Sequence, residues 1–156
     1  MEQRDIRGFR RDLRALEREV MLALTEDTDC CGITVSQCHL LLEAEGRGST
    51  TVTELASLLA LDKSTLSRTV EGMRRRGYLS RTTDPDHRRQ QIIRLTGKGG
   101  AKAGAINATC DASHERLFDF IPAGKRDMVV EAVALLAAAM RQRRIQPDSA
   151  CCAGQD

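Results

Sequence analysis

Cysteine and histidine, the residue types best suited to metal binding or redox chemistry, occur in two groups along this chain. The first group lies within ten residues and the second is a pair four residues apart: Cys30, Cys31, Cys38 and His39, then Cys110 and His114. Residues four apart on a helix point the same way, which is a sound geometry for two metal ligands. Mixed thiolate and imidazole ligands favour zinc, whereas thiolates alone favour softer ions.

The same cysteines allow plainer interpretations. Cys38 falls on an apolar helical stripe and Cys110 is in line with Ile106 and Phe118, so each could be a small buried hydrophobe. Redox chemistry would need an exposed thiol of low pKa with a resolving partner, and the adjacent pair Cys151 and Cys152 could reach another subunit. The charged N-terminus lacks a secretion signal, which argues for reduced thiols rather than structural disulfides.

Size and composition predict one helical, cytoplasmic domain. The chain has 156 residues and is 41% hydrophobic, with no Trp, one Tyr and three Phe, so the core must be mostly aliphatic. No apolar run reaches the roughly 18 residues of a membrane span. There is no Gly-rich phosphate loop, nucleophile elbow or HExxH pattern, so the sequence does not predict an enzyme.

Charge is distributed unevenly along the chain. The net charge is +2, but between Asp62 and Lys102 eleven Lys and Arg accompany four acids, which gives that segment +7 and the remainder −5. A basic block inside a nearly neutral protein indicates a binding site for a polyanion, although a solvated charged face is the simpler alternative.

Periodicity and capping signals predict the elements before this block. Apolar residues spaced alternately by three and four indicate helices over about 4–26 and 34–45, with Gly32 ending the first and a loop following the second. Thr51 and Glu54 form a capping-box pattern ahead of a short helix. Asp62 can cap the next helix, whose Leu66, Val70 and Met73 face inward and which Gly77 ends.

The basic block continues into a predicted hairpin and two further helices. Residues 78–82 and 90–95 have strand character and flank the turn "TDPDHRR". Thr96 can cap a helix over about 97–120, and a last helix covers about 125–144 before the tail 146–156. This order predicts a mainly α fold with a small β-hairpin wing, a winged helix-turn-helix.

In such a fold the helix that starts after Asp62 enters the DNA major groove, where base edges are accessible. Its outward residues are basic or carry small hydroxyls, which suit guanine edges and phosphate oxygens. The residues predicted to contact DNA are Lys63, Ser64, Thr65, Ser67, Arg68, Thr69 and Arg74 on the helix, and Asp86, Arg88 and Arg89 in the wing.

Residues 51–99 resemble the DNA-binding core of the MarR family. The shared features are the Glu-Leu-Ala helix and the basic-Gly-aliphatic stretch that ends the helix starting after Asp62. They also include the wing pair Asp86 and Arg88, and Leu95, Thr96 and Gly99 directly after the wing. The resemblance implies a homodimeric regulator, usually a repressor released by a ligand, that binds double-stranded operator DNA. It implies dimerisation helices over about 4–26 and 97–145, a DNA-binding lobe over about 34–96, an Arg88 that enters the minor groove and an Asp86 that helps hold the wing.

The thiol groups also resemble the zinc-sensing branch of that family. His39, Cys110 and His114 match positions of its ligands, and Cys38 with Cys30 or Cys31 could supply others. Cys110 replaces a histidine of that branch, which shifts the preference toward cadmium or trivalent arsenic, and Cys151 and Cys152 are further candidates. The alternative is a MarR-type regulator that responds to oxidants or to a small organic ligand, with redox-active or structural cysteines.

Overall fold

The computed structural model describes residues 3–85, 87 and 90–146, without the side chains of residues 4 and 25–31. These residues form six α-helices, a short 3-10 helix and a three-stranded antiparallel sheet, as the mainly α prediction requires. The sequence predicted a single domain, and the chain divides between Thr109 and Cys110 into two compact units. No helix among the described residues is long and apolar enough to cross a membrane.

The first helix, α1 (Gln3–Cys31), is longer than predicted. The acidic stretch after residue 24 was expected to break it, yet the helix continues to Cys31. Asp and Thr cost a helix only about 0.7 kcal/mol each relative to Ala, which a long helix tolerates. Gly32 follows with φ +63°, a conformation that favours glycine, and the prediction that it ends the helix is confirmed.

Helix α2 (Val35–Arg47) begins at Thr34, whose hydroxyl accepts a hydrogen bond from the Gln37 amide at 3.3 Å. It runs two residues beyond the predicted end. Its buried side chains are Leu40, Leu41 and Ala44. Leu41 belongs to the predicted apolar stripe, whereas the other predicted members, Val35, Cys38 and Leu42, are only half-buried.

The stretch after α2 was predicted to be a loop, but it contains strand β1 (Thr50–Thr51). Thr51 also caps α3 (Val52–Leu59), and its hydroxyl and the Glu54 carboxylate form the predicted capping box. Ala60, with φ 54°, makes the tight connection to α4 (Lys63–Arg75). A two-residue strand has no alternation of its own, so only its pairing with a distant strand defines it.

The predicted hairpin is present as β2 (Leu79–Thr83) and β3 (Gln91–Leu95), with ends shifted by about one residue. The strand order is β1-β3-β2, and Thr50 of β1 lies opposite Ile93 of β3. Ile93 is fully buried together with side chains from several helices of the first unit, among them Leu40, Leu55, Leu66, Met73 and Ile106.

Helix α5 (Gly97–Asp119) begins where predicted, since the Thr96 hydroxyl accepts a hydrogen bond from the Gly99 amide at 3.0 Å. A 3-10 turn (Ala123–Lys125) precedes α6 (Arg126–Ile145), close to its predicted range. No residue of α6 is buried in the single chain. Several of its large apolar side chains, among them Val133 and Leu135, are more than half exposed.

Candidate nucleic-acid interface and thiol sites

The first turn of α4 is fixed by its capping residue. The Asp62 carboxylate accepts hydrogen bonds from the Ser64 hydroxyl at 2.6 Å and from the Thr65 amide at 2.8 Å. These bonds favour the charged carboxylate and lower the pKa of Asp62 below its usual range. Lys63 is exposed in the same turn. Asp62 thus fixes the start of α4, and the Lys63 ammonium group is the cation beside it.

Helix α4 has an apolar inner face and a polar concave outer face. Leu66, Val70 and Met73 are buried, as predicted. The opposite side borders a cavity of about 780 Å³. We call its lining residues the concave face of α4: Ser64, Ser67, Arg68, Glu71, Gly72 and Arg75, with Arg81 of β2. The lining residues that belong to α4 are spaced three and four residues apart, so they all lie on one side of the helix.

Not every predicted contact residue lies on this face. Ser64, Ser67 and Arg68 do. Thr65 and Thr69 are half-buried, and the Thr69 hydroxyl donates to the Thr65 carbonyl at 3.1 Å. The sequence-based prediction did not include the four other residues of the concave face. The same helical periodicity extended from Arg68 would have included Glu71, Gly72 and Arg75, whereas Arg81 belongs to β2 and follows no helical repeat.

Glu71 is bonded to two arginines of its own helix. Its Oε2 accepts from Nε of Arg74 at 2.9 Å, and its Oε1 accepts from Nη2 of Arg74 at 2.9 Å and from Nε of Arg75 at 3.1 Å. These hydrogen bonds, those of Arg74 first, lower the pKa of Glu71 to about 2. Arg74, which the sequence predicted to contact DNA, therefore donates two hydrogen bonds to a carboxylate of its own helix.

A second groove, of about 650 Å³, joins the concave face to the wing, because Ser67 and Arg81 border both. Lys63, His87 and Gln90 also line it, together with the first residues of α3. His87 is exposed. The wing residues Asp86, Arg88 and Arg89, which the sequence predicted to contact DNA, lie outside the described residues.

Arg76 connects the end of α4 to the turn between α1 and α2. Its guanidinium donates to the Gly32 carbonyl at 3.0 Å and to the Gln37 side-chain oxygen at 3.3 Å. It also lies 5.2 Å from the ring centre of Tyr78, and Lys98 lies 4.9 Å from the same ring. The Lys98 ammonium donates to the Arg76 carbonyl at 2.8 Å. These contacts fix the end of α4 relative to the residues that follow α1.

The described thiols and imidazoles belong to different compact units. Cys38 is half-buried and His39 exposed on α2, while Cys110 is half-buried and His114 exposed on α5. Among the described residues, no three Cys, His, Asp or Glu side chains form a metal-binding group. The side chains of Cys30 and Cys31, and the tail residues Cys151 and Cys152, lie outside the described residues.

His114 is oriented by its own helix. Its Nδ1 lies 2.6 Å from the carbonyl oxygen of Cys110. Because a carbonyl can only accept a hydrogen bond, this contact assigns the proton of a neutral imidazole to Nδ1. Nε2 is then the ring nitrogen with a lone pair for a ligand, an arrangement common for metal-binding histidines.

Comparisons with known proteins agree with this architecture. The sequence model described as "MarR family" matches residues 32–90. A MarR family protein from Bacillus stearothermophilus superposes with a TM-score of 0.79 at 21% identity, over 90% of this chain and 98% of that one. The fold is that of a MarR-type winged helix.

Two further structures of this fold contain DNA. Streptococcus pneumoniae FabT in complex with DNA gives a TM-score of 0.75 at 17% identity, over 86% of this chain and 98% of that one. A cysteine-to-serine mutant of E. coli MarR with operator DNA gives 0.69 at 22% identity, over 86% and 95%. A search of curated proteins gave no significant match.

Proposed function

We propose that this protein is a homodimeric transcriptional regulator of the MarR type, not an enzyme, and that it binds double-stranded operator DNA. The observation that carries the proposal is the concave face of α4, where Arg68, Arg75 and Arg81 surround a polar helical surface. The family match over residues 32–90 and the DNA complexes of similarly folded proteins support it.

The chemistry of this face suits the DNA major groove. Arginine can donate two hydrogen bonds to a guanine edge or bind phosphate, and Ser64 and Ser67 can bind phosphate oxygens. Lys63 and the wing groove extend the basic surface toward the adjacent backbone. By resemblance, Arg88 and Arg89 would reach the minor groove or phosphates, and Asp86 would help to hold the wing.

A second copy of the chain is the proposed dimer partner. Phe9, Leu16 and Val20 recur along one stripe of α1 and are 46–50% exposed in the single chain. Helix α6 likewise buries no residue although it is rich in aliphatic side chains. Such exposed apolar surface is unusual for a monomer and typical of a protein interface. Two lobes joined in this way would bind two half-sites of a palindromic operator.

Selection from a pool of random-sequence duplexes tests DNA recognition and identifies the operator in the same experiment. We expect the wild-type protein to enrich a palindromic sequence and its affinity to fall steeply with salt. Arg88→Ala should weaken binding, whereas Arg47→Ala, on the surface of α2, should not. Failure to enrich any sequence would refute the proposed function, and full affinity of Arg88→Ala would refute the role of the wing.

For the effector we propose a thiophilic metal or metalloid, namely zinc, cadmium or trivalent arsenic, bound through Cys and His side chains. The orientation of His114 and its position four residues after Cys110 support this choice. Candidate partners are Cys30, Cys31, Cys38 and His39, with Cys151 and Cys152 in the tail. The second candidate is an oxidant or a small organic ligand, with the cysteines redox-active or structural. The half-buried positions of Cys38 and Cys110 suit the structural role that goes with an organic ligand.

Binding of the effector would act on DNA affinity through linkage. A ligand changes the DNA-binding equilibrium only by the difference between its affinities for two conformations. The contacts of Arg76 with Gly32 and Gln37 offer a physical route, because they join the residues after Cys30 and Cys31 to the end of α4. By resemblance the protein would be a cytoplasmic repressor that the ligand releases from its operator.

Titration of the reduced protein with zinc, cadmium and arsenite, followed by thiolate ultraviolet absorbance and by operator binding, tests the effector. Stoichiometric binding that changes DNA affinity, and that Cys110→Ser weakens, would support metal sensing. His87→Ala, in the wing, serves as the control for the thiolate absorbance, since its groove belongs to the proposed DNA-binding surface. If none of the three binds, peroxide and organic ligands become the candidates and the metal proposal fails.

A further inference from the structure

Glu71 is the acidic residue of an otherwise basic and polar concave face. It lies three residues after Arg68 and four before Arg75, and both of these arginines line the same cavity. Its side chain is one-third exposed, and it accepts three hydrogen bonds from Arg74 and Arg75 at 2.9–3.1 Å. A carboxylate at the centre of a surface built for a polyanion repels phosphate, so it calls for a separate explanation.

The geometry of the cluster limits what the two arginines can do. The contact with Arg74 is side-on and uses Nε and one terminal nitrogen, and the contact with Arg75 uses its Nε. A phosphate that approached either guanidinium would have to compete with the carboxylate for these donors. Sequence-independent DNA binding consists almost entirely of such phosphate contacts. A residue that restrains phosphate contacts therefore lowers the affinity for non-cognate DNA more than the affinity for the operator.

We propose that Glu71 is a positioning residue that sets DNA specificity by holding Arg74 and Arg75 away from indiscriminate phosphate contacts. This inference rests on the proposed function, since it concerns the same face of α4. This role differs from a purely structural one because the two predict opposite changes in DNA affinity when Glu71 is replaced. Structural loss would weaken binding to all DNA, whereas release of the arginines would strengthen binding to DNA of any sequence.

The test compares Glu71→Gln with the wild type on two duplexes: the operator selected by the wild type, and a scrambled duplex of the same length and composition. We expect Glu71→Gln to bind the scrambled duplex about fivefold more tightly. The slope of log affinity against log salt concentration should become steeper by about one to two, because each phosphate contact adds about 0.9 to the slope. The ratio of operator to scrambled affinity should fall. Glu71→Asp, which keeps the charge, should restore much of it.

Two controls separate the mechanism from a general change in charge. Glu43→Gln removes a carboxylate that pairs with Arg47 on α2, away from the concave face, and should leave both slope and ratio unchanged. In an Arg74→Gln, Arg75→Gln background, the Glu71→Gln change should no longer steepen the slope. Circular dichroism and thermal melting of each variant monitor folding.

The inference is overturned if Glu71→Gln matches Glu43→Gln in slope and ratio, or if its gain persists without the two arginines. Failure of the wild type to enrich any operator would instead refute the proposed function. In that case the salt slopes on a duplex of arbitrary sequence would still decide whether Glu71 restrains Arg74 and Arg75.

Discussion

Arg68 is the residue of the concave face whose role is easiest to isolate. Its Nε donates to the Ser64 carbonyl at 3.4 Å, a long hydrogen bond that does not use the terminal nitrogens, and the residue is exposed. Glu71, by contrast, engages Arg74 and Arg75. Arginines of one helix therefore differ in their hydrogen-bond partners according to whether a carboxylate lies beside them.

We predict that Arg68→Ala lowers operator affinity on the order of tenfold and relaxes the preference at one base pair, because a guanidinium that contacts a guanine edge discriminates between bases. Binding to a panel of operators with single base changes measures this effect. Arg47→Ala is the matched control on α2. A uniform loss across the panel, with a salt slope reduced by about one, would make Arg68 a phosphate contact instead.

At the scale of elements, the start of α5 packs tightly against the turn that precedes β2. Gly99 is buried in the first turn of α5, and a Cβ at this position would overlap the carbonyl oxygen of Tyr78. The Thr96 hydroxyl donates to the Gly77 carbonyl at 2.6 Å and accepts from the Gly99 amide, so hydrogen bonds also join the start of α5 to this turn. This junction connects the wing to α5.

We expect Gly99→Ala to reduce the free energy of unfolding by about 1–3 kcal/mol, because an added methyl group forces the backbone at Tyr78 away from α5. Gly104→Ala is the control. A methyl group there would meet no atom of the described chain within 4 Å outside the adjoining helix backbone, and alanine favours the helix by up to about 1 kcal/mol. Chemical denaturation measures both. Equal stability of the two variants would contradict the close packing at Gly99.

The capping box of α3 predicts a dependence of stability on pH. Hydrogen bonds from the Thr51 amide and then the Thr51 hydroxyl lower the pKa of Glu54. The stabilisation is therefore complete above the ordinary glutamate pKa of about 4.3 and is lost as the pH falls through the lower pKa of the folded state. Glutamine keeps the hydrogen-bonding geometry without titrating, so the difference in Tm between wild type and Glu54→Gln should shrink on acidification.

Thermal melts between about pH 7 and pH 2.5 measure that difference, a window chosen to span the glutamate pKa. Glu17→Gln, which removes an exposed carboxylate from α1, controls for the change in net charge. A difference in Tm that is constant across the window would show that the charge of Glu54 does not contribute to the cap.

At the scale of the whole molecule, the exposed apolar stripe of α1 predicts that DNA binding depends on association of two chains. Leu16→Glu should convert a dimer to a monomer, because a buried, unpaired carboxylate at an interface costs several kcal/mol. Operator affinity should fall with it, since two half-sites must be bound together. Arg18→Gln, on the polar side of α1, changes the net charge equally and should remain dimeric. Sedimentation velocity distinguishes these results, and a dimeric Leu16→Glu would exclude this stripe from the interface.

The sequence alone determined the order of the helices, three of their capping residues and the basic winged-helix pattern. Thr51, Asp62 and Thr96 each act within three residues of the groups they cap, and Leu66, Val70 and Met73 follow the helical repeat, so local spacing contains the necessary information. The same spacing identified Ser64, Ser67 and Arg68 on the concave face.

Only the tertiary structure decided the remaining features. Strand β1 exists because Thr50 and Thr51 pair with Ile93 and Ile92, and Arg76 reaches Gly32 across 44 residues of chain. Arg81 joins the concave face because β2 returns beside α4. Glu71 could be seen as a neighbour of Arg74 and Arg75, but which nitrogens it binds depends on side-chain rotamers. Contacts between distant segments leave no periodic trace in the sequence, because either partner alone is compatible with many structures.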